Sequence, residues 1–202
     1  MLFGFGTGFA LGASLIIAIG AQNAFILRQG ILREHVFILC LICAVSDAIL
    51  IAIGVAGVGA ILNSSPNLLM AIRLFGAGFL LWYAWVAIRR AVYPSVMEMR
   101  SEGGGSFKIA VGTCLAFTFL NPHVYVDTVL LVGASAPHEG SAKLAYAIGA
   151  MLASFVWFFS LGYGARLLEP VFQSTKAWQI LDTMIAIVMF LIAFSLVYPL
   201  LP

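Results

Sequence analysis

The sequence predicts an all-α polytopic membrane protein with six transmembrane helices, built as two inverted three-helix repeats. Its composition, six long apolar runs and a weak similarity between the two halves support this prediction. Of the 202 residues, 63% are hydrophobic and only 9% are charged, and the mean hydropathy is +1.09. A soluble domain carries about 25% charged residues. The chain therefore lacks the polar surface that a water-soluble protein needs.

The six predicted spans follow from runs of about 20 apolar residues, the length that crosses a bilayer. The first run contains no Lys or Arg before Arg28, so it lacks the basic segment of a signal peptide and is predicted to be retained. A membrane β-barrel is excluded because the runs are apolar on every face instead of alternating. The spans cover residues 2–27, 36–62, 68–88, 109–134, 144–165 and 177–200.

The basic residues predict the orientation of these spans. The first, third and fifth connections carry eight of the ten Lys and Arg residues, and the positive-inside rule places such connections in the cytoplasm. Both termini are therefore expected on the periplasmic side. The cytoplasmic set comprises Arg28, Arg33, Arg89, Arg90, Arg100, Lys108, Arg166 and Lys176, against Arg73 and Lys143 outside.

The two halves resemble each other at matching places. The segment 20–25 can be laid over 120–125, and 46–54 over 154–162. Because each half holds an odd number of spans, the second half must be inverted, an arrangement typical of secondary transporters. We expect one transmembrane domain over residues 1–202, with repeat 1 at 1–92, a cytoplasmic linker at 93–107 and repeat 2 at 108–202.

Polar breaks are predicted in the middle of helices 1 and 4. Gln22 and Asn23 place two amide side chains inside the first span, and Asn121 precedes Pro122 in the fourth. Proline removes a backbone donor and disfavours helix at the preceding residue. Each break taken alone is as compatible with a plain kink as with a binding site. Two breaks at matching repeat positions favour a site lined by exposed backbone groups.

Two carboxylates lie inside apolar runs, where a charge is costly and by default marks function. Asp47 is central in the second span. It could bind a cation or a proton, or it could form a structural ion pair with Arg73 of the third span. Asp127 lies one turn beyond His123, so the two residues share a helix face. Together they could relay protons, or they could staple two helices by hydrogen bonding.

Other residues are interpreted as structural. Asp182 and Arg73 are expected near the outer ends of spans six and three, with Asp182 on the outer rim. The ridge Gly4, Gly8 and Gly12 is expected to pack against a neighbouring helix, although it could also form a dimer contact. The cysteines, Cys40, Cys43 and Cys114, all lie in apolar runs and are expected to be packing residues and not a metal or redox motif.

Several function classes are excluded by what the sequence lacks. It contains no P-loop, no H-E-x-x-H and no G-x-S-x-G motif. Transport would therefore use an ion gradient and not ATP hydrolysed by this chain. We expect no enzyme activity, no cofactor, no metal site and no nucleic-acid partner, since the net charge of +2 includes no long basic run.

Three segments carry a family resemblance. Residues 20–30 (GAQNAFILRQG), 43–47 (CAVSD) and 120–128 (LNPHVYVDT) resemble the basic amino-acid exporters of the lysine/arginine exporter (LysE/ArgO) family. The resemblance extends over nearly the whole chain. It implies a homodimeric protein of the bacterial inner membrane that exports L-arginine or L-lysine by using the proton motive force.

The sequence therefore predicts a proton-driven exporter of basic amino acids that works by alternating access. A metal or small-cation transporter is the alternative, although two carboxylates are a thin ligand set for a metal. An intramembrane enzyme would need a nucleophile or metal that the sequence does not offer. The predicted substrate-binding or proton-coupling residues are Asp47, Asp127, Gln22, Asn23, Asn121, Pro122, His123 and Tyr125, with Arg73 as a possible ion-pair partner.

Overall fold

The structure is a computed structural model, and it describes residues 1–17, 20–57, 66–93, 106–137 and 140–198. All regular secondary structure in these ranges is helical, which confirms the predicted all-α class. Most of the predicted linker at 93–107 lies outside the described residues, as do the ends of the predicted second and sixth spans.

We number the helices α1 to α8 in chain order. The sixth is composite: Pro122–Val124, a π-helical segment Tyr125–Leu131 and Val132–Ala134 follow one another directly and are together called α6. Two 3-10 turns, Ala165–Leu168 and Val171–Gln173, connect α7 to α8. The other helices are α1 (Leu2–Ile16), α2 (Ala21–Leu32), α3 (Val36–Val55), α4 (Pro66–Val92), α5 (Phe107–Phe119), α7 (Gly140–Gly164) and α8 (Thr175–Val197).

Several helices have the length and apolar character of membrane spans. Within the described residues, α3, α7 and α8 are each long and apolar enough to cross a membrane. A fourth candidate span is formed by α1 and α2 together, and its two parts are bent by 81°. The helix α5 and most of α6 are shorter apolar helices. The molecule is therefore a multi-pass membrane protein.

Both predicted helix breaks occur in the structure. Between α1 and α2, Gly20 is extended, with φ −124° and ψ 172°, and α2 begins at the next residue. Between α5 and α6, the helix stops at Phe119, and α6 begins at Pro122. Because proline has no N–H, the helical ladder cannot continue through this position.

Close backbone contact between α1 and α7 explains the glycine ridge. Gly4, Gly8 and Gly12 are buried against α7, and a Cβ on Gly8 would lie only 2.1 Å from the carbonyl oxygen of Tyr146. The ridge is thus a surface that packs against a neighbouring helix of the same chain, as predicted. Elsewhere α4 packs along α8, and α3 lies between α7 and α6.

One end of the bundle gathers most of the basic residues. At this end α2, α4 and α7 terminate and α3, α5 and α8 begin, and we call it the basic end. Arg33 and Glu169 form an ion pair there, and the His35 and Phe107 rings are in edge contact with centroids 5.2 Å apart. Gln179 donates a hydrogen bond to the Ala91 carbonyl at 3.0 Å.

The expectation for Asp182 was wrong. Its side chain is fully buried, not on an outer rim, and it lies near the start of α8 at the basic end. There the Nε atoms of Arg28 and Arg90 approach Asp182 Oδ1 at 3.4 and 3.2 Å. Because two arginines converge on this carboxylate, it can stay buried where a lone charge could not.

Candidate functional site

A cavity of about 270 Å³ lies beside the two helix breaks. This is near the low end of the roughly 300–1,000 Å³ that ligand pockets span, so it suits one small molecule. Gly12, Leu15 and Ile16 of α1, Ile51 of α3, Phe158 of α7 and Ile192 of α8 form its apolar wall together with Gly20, Ala21, Val124 and Val132. Its polar lining consists of Gln22, Asn23, Asp47, Asn121, His123, Asp127 and Thr128.

The cavity brings together most of the residues proposed from the sequence. Of these, Tyr125 and Arg73 do not line it. The side chain of Pro122 lies outside the described residues. Six of the predicted residues do line the cavity: Gln22, Asn23, Asp47, Asn121, His123 and Asp127.

Asp47 is the most deeply buried acid of the cavity. It is 3% exposed, and its Oδ2 accepts a hydrogen bond from Ser154 Oγ of α7 at 3.2 Å. Among the ion pairs of the described residues, none joins Asp47 to Arg73. Ser154 was not assigned a role from the sequence, although the repeat alignment placed it opposite Ser46, next to Asp47.

Side-chain hydrogen bonds hold the break between α1 and α2. Asn23 Nδ2 donates to the carbonyl oxygen of Ile16, the last residue of α1, at 2.7 Å. The indole N–H of Trp157 donates to Asn23 Oδ1 at 3.2 Å. Asn23 therefore fixes the geometry of the break while also facing the cavity.

The break between α5 and α6 is held in the same manner. The Tyr125 hydroxyl donates to the carbonyl oxygen of Phe119, the last residue of α5, at 2.9 Å. Asn121 Oδ1 accepts a hydrogen bond from the backbone N–H of His123 at 3.1 Å and so caps the start of α6. At each break, a side chain from the second helix thus satisfies the last carbonyl of the first.

One hydrogen bond links the two breaks directly. Gln22 Nε2 at the start of α2 donates to Thr118 Oγ1 near the end of α5 at 3.1 Å, and Thr118 in turn donates to the Cys114 carbonyl. Thr118 is fully buried and was not singled out in the sequence. The contact makes the two breaks parts of a single site.

His123 and Asp127 form the more open side of the cavity. His123 is exposed and its Nε2 lies 3.3 Å from Ser195 Oγ of α8, while Asp127 is partly buried in the π-helical segment. His123 is near enough to interact electrostatically with Asp127. Within the described residues, no group of three or more His, Cys, Asp or Glu side chains could hold a metal ion.

The electrostatics of the cavity favour a ligand that carries positive charge. Its acidic lining residues are Asp47 and Asp127, and no Lys or Arg of the described part of the chain lines it. The N-terminus of α2 also faces the cavity at Ala21, and no side chain of the described residues caps this end. Helix N-termini bind carboxylates through their free N–H groups and the helix dipole. The site is thus complementary to a small molecule with both cationic groups and a carboxylate.

Comparison with known proteins gives a consistent result. A family model described as LysE type translocator matches residues 13–199. The chain is 45% identical to "Putative amino-acid transporter Rv0488" of Mycobacterium tuberculosis, over 87% of this chain and 88% of the relative. It is 42% identical to the arginine exporter protein ArgO of Salmonella typhimurium, over 94% of this chain and 90% of the relative. No solved structure matches the chain.

Proposed function

The chain belongs to the LysE translocator family, and we propose that it exports basic L-amino acids, arginine or lysine or both, across the bacterial inner membrane. The observation that carries the proposal is the cavity lined by Asp47 and Asp127 but, among the described residues, by no Lys or Arg. A neutral amino acid offers one cationic group to these two carboxylates, whereas arginine and lysine each offer two. The name of the Salmonella relative supports the same substrate class.

The substrate is proposed to lie across the cavity with its charged groups separated. Asp47 and Asp127 pair with the α-amino group and the side-chain cation. The substrate carboxylate lies at the N-terminus of α2, where Gln22 and Asn23 line the cavity. This placement uses the helix end as an anion site and the acids as cation sites.

We further propose six spans in two inverted repeats, with α1–α2 and α5–α6 as the broken helices. The packing supports this arrangement, because its helix pairs occur in corresponding sets. The pairing of α1 with α7 corresponds to that of α5 with α3, and the pairing of α2 with α7 to that of α6 with α3. The hydrogen bonds from Asn23 to the Ile16 carbonyl and from Tyr125 to the Phe119 carbonyl, one at each break, also support this arrangement.

Transport is proposed to proceed by alternating access, driven by the proton motive force. The basic end would face the cytoplasm and both termini the periplasm, in accord with the positive-inside rule. Asp47 and Asp127 come from different helices and are not equivalent by the repeat, so one is suited to hold substrate and the other to couple protons. A homodimer remains a prediction of the family resemblance.

An export assay tests this function. Cells without their own basic amino-acid exporters are loaded with arginine-, lysine- or leucine-containing dipeptides, and the released amino acids are measured outside with and without an uncoupler. We expect this chain to export arginine or lysine but not leucine, and the uncoupler to stop export. Equal export of all three residues would contradict the substrate class, and metal-dependent transport without amino-acid competition would favour the alternative cation transporter.

Variants of the two acids test the site itself. Asp47→Asn and Asp127→Asn keep the shape and remove the charge. The loss of a desolvated charge pair costs about 2–5 kcal/mol, so each variant should lower transport efficiency by roughly 30-fold or more. Glu169→Gln, which removes the charge of an exposed acid at the basic end, is the matched control and should export normally. Wild-type export by both cavity variants, at equal expression, would refute the proposed roles.

A further inference from the structure

A second buried acid, Asp182, lies apart from the cavity at the basic end. Its Oδ1 is shared by Arg28 of α2 and Arg90 of α4, whose side chains are 6% and 15% exposed. Each arginine also stacks on an aromatic ring: Arg28 lies 5.6 Å from the centroid of Trp178, and Arg90 lies 5.5 Å from that of Tyr83. The five residues form a compact cluster, which we call the Asp182 cluster.

An aromatic layer separates this cluster from the cavity. Phe25 of α2, Tyr83 of α4 and Phe117 of α5 are at most 6% exposed. The Tyr83 and Phe117 ring centroids lie 4.8 Å apart, and the Phe25 and Phe117 centroids 5.5 Å apart. Tyr83, on which Arg90 stacks, belongs to both the aromatic layer and the Asp182 cluster, so the two groups are continuous. Together they form a buried barrier on the basic-end side of the cavity, and their aromatic residues belong to one hydrophobic core.

The helix α2 takes part in every layer of this barrier. Its first turn, with Gln22, lines the cavity, its middle supplies Phe25, and its last turns supply Arg28. A movement of α2 at the basic end would therefore disturb the aromatic layer and the cavity floor together. The contact between Arg28 and Asp182 is an ion pair that ties this helix to α8.

The two arginines differ in which helices they join. Arg90 and Asp182 lie on α4 and α8, which pack along each other, whereas α2 packs mainly on α7. Breaking a buried ion pair is costly when a charge is left without a partner. If α2 moves away with Arg28, Asp182 still keeps Arg90. Sharing the carboxylate between two arginines thus removes the part of the opening cost that an unpaired Asp182 would add.

We propose that Asp182 is the lock of the basic end: its contact with Arg28 holds α2 closed, and its contact with Arg90 keeps the acid paired when α2 moves away. Asp182 is thereby a positioning residue for Gln22 and Asn23 at the other end of α2. The inference rests on the proposed transport function. It assigns the opening movement to a specific ion pair outside the substrate cavity.

Native cysteines provide a reporter of this opening. Cys43 of α3 and Cys114 of α5 are fully buried with their sulfur atoms 3.3 Å apart, and Cys114 lies one turn before Thr118 of the cavity linkage. A membrane-impermeant thiol reagent is added to inside-out and to right-side-out vesicles, and labelled peptides are identified by mass spectrometry. In the closed protein both sulfur atoms should react slowly from either side.

The variants separate the roles of the two arginines. Arg28→Gln should increase labelling of Cys43 or Cys114 from the basic end by about tenfold or more, which corresponds to ~1.4 kcal/mol in the opening equilibrium. Arg90→Gln should not increase labelling but should slow export, because opening would then leave Asp182 without an arginine. Arg33→Gln, which breaks an exposed ion pair at the same end, is the matched control and should change neither measurement.

The outcomes also distinguish this proposal from the proposed function. Labelling no faster in Arg28→Gln than in Arg33→Gln, or equally fast in Arg28→Gln and Arg90→Gln, would overturn the lock. If Arg28→Gln does not accumulate in the membrane, Arg28→Lys carries the same test, with a smaller increase expected because the forked guanidinium is lost. Labelling needs no amino acid, so a chain that exports neither arginine nor lysine could still show the predicted labelling differences. Conversely, a chain that exports these amino acids could show no labelling difference, and only the role of Asp182 would then be refuted.

Discussion

The packing of α1 on α7 gives a sharp prediction about Gly8. A Cβ at this position would lie 2.1 Å from the carbonyl oxygen of Tyr146, whereas ordinary contact begins at 3.4 Å. The Gly8→Ala variant therefore has to separate the two helices by about 1.3 Å, the difference between the 2.1 Å and 3.4 Å distances. The contact partner is backbone, so it cannot relax by changing a rotamer.

The energetic cost follows from this separation. A gap of 0.5–1 Å already forfeits about a quarter to a half of each dispersion contact, and overpacking costs typically about 1–3 kcal/mol. The higher helix propensity of alanine offsets about 0.5–1 kcal/mol of this. We expect Gly8→Ala to be destabilised by roughly 1–2 kcal/mol, which lowers the Tm of a chain of this size by about 2–8 °C. Export should fall as well, because Gly12, Leu15 and Ile16 of the same helix line the cavity.

Gly6 provides the matched control, because a Cβ there would have no heavy atom within 4 Å. Gly6→Ala is the same chemical change on the same helix, two residues away, and should leave Tm and export unchanged or slightly raise Tm. Thermal unfolding of the purified variants in detergent measures the first quantity, and the dipeptide assay measures the second. A Gly8→Ala protein as stable as Gly6→Ala would refute the close contact between α1 and α7.

Two further substitutions probe the polar contacts of the site. Ser154→Ala removes the hydroxyl that donates to Asp47 and should raise the apparent KM for export by roughly tenfold, since a hydrogen bond to a charged group contributes about 1.5–3 kcal/mol. Uptake of substrate by reconstituted protein measures this, and an unchanged KM would remove Ser154 from the site. Tyr125→Phe removes the hydroxyl that donates to the Phe119 carbonyl at the second break. The loss of this hydrogen bond should destabilise the protein by about 1 kcal/mol and lower its Tm in detergent by about 2–4 °C. A wild-type Tm would contradict the contact.

The sequence was sufficient for the fold class and the family, because these depend on local signals. Long apolar runs predict helices regardless of their neighbours, and Pro122 interrupts a helix through its own covalent structure. The segments around Gly20, Asp47 and Asp127 carried the family resemblance, which the LysE family model confirms over residues 13–199. These features need no knowledge of which helices meet.

The partners of the site residues could not be predicted, because they come from distant parts of the chain. Ser154 lies 107 residues from Asp47, Thr118 lies 96 from Gln22, and Trp157 lies 134 from Asn23. In a helix of a soluble protein, an apolar stripe opposite a polar one indicates which face is buried. Here nearly every face is apolar, since lipid and protein core select the same side chains. Apart from the glycine ridge of α1, the sequence therefore gives little indication of which faces pack together.

Asp182 was misplaced for the same reason, and its true environment sharpens the interpretation of Asp47. Both acids are almost completely buried, but Asp182 is paired with two arginines, whereas the hydrogen bond that Asp47 receives comes from the neutral Ser154 hydroxyl. A buried carboxylate is stable only when it is paired with a cation or protonated. Arginine side chains meet this need at Asp182, so no ligand is required there. At Asp47 this need is left to a cation or a proton that enters the cavity, which agrees with the proposal that Asp47 either holds substrate or couples protons.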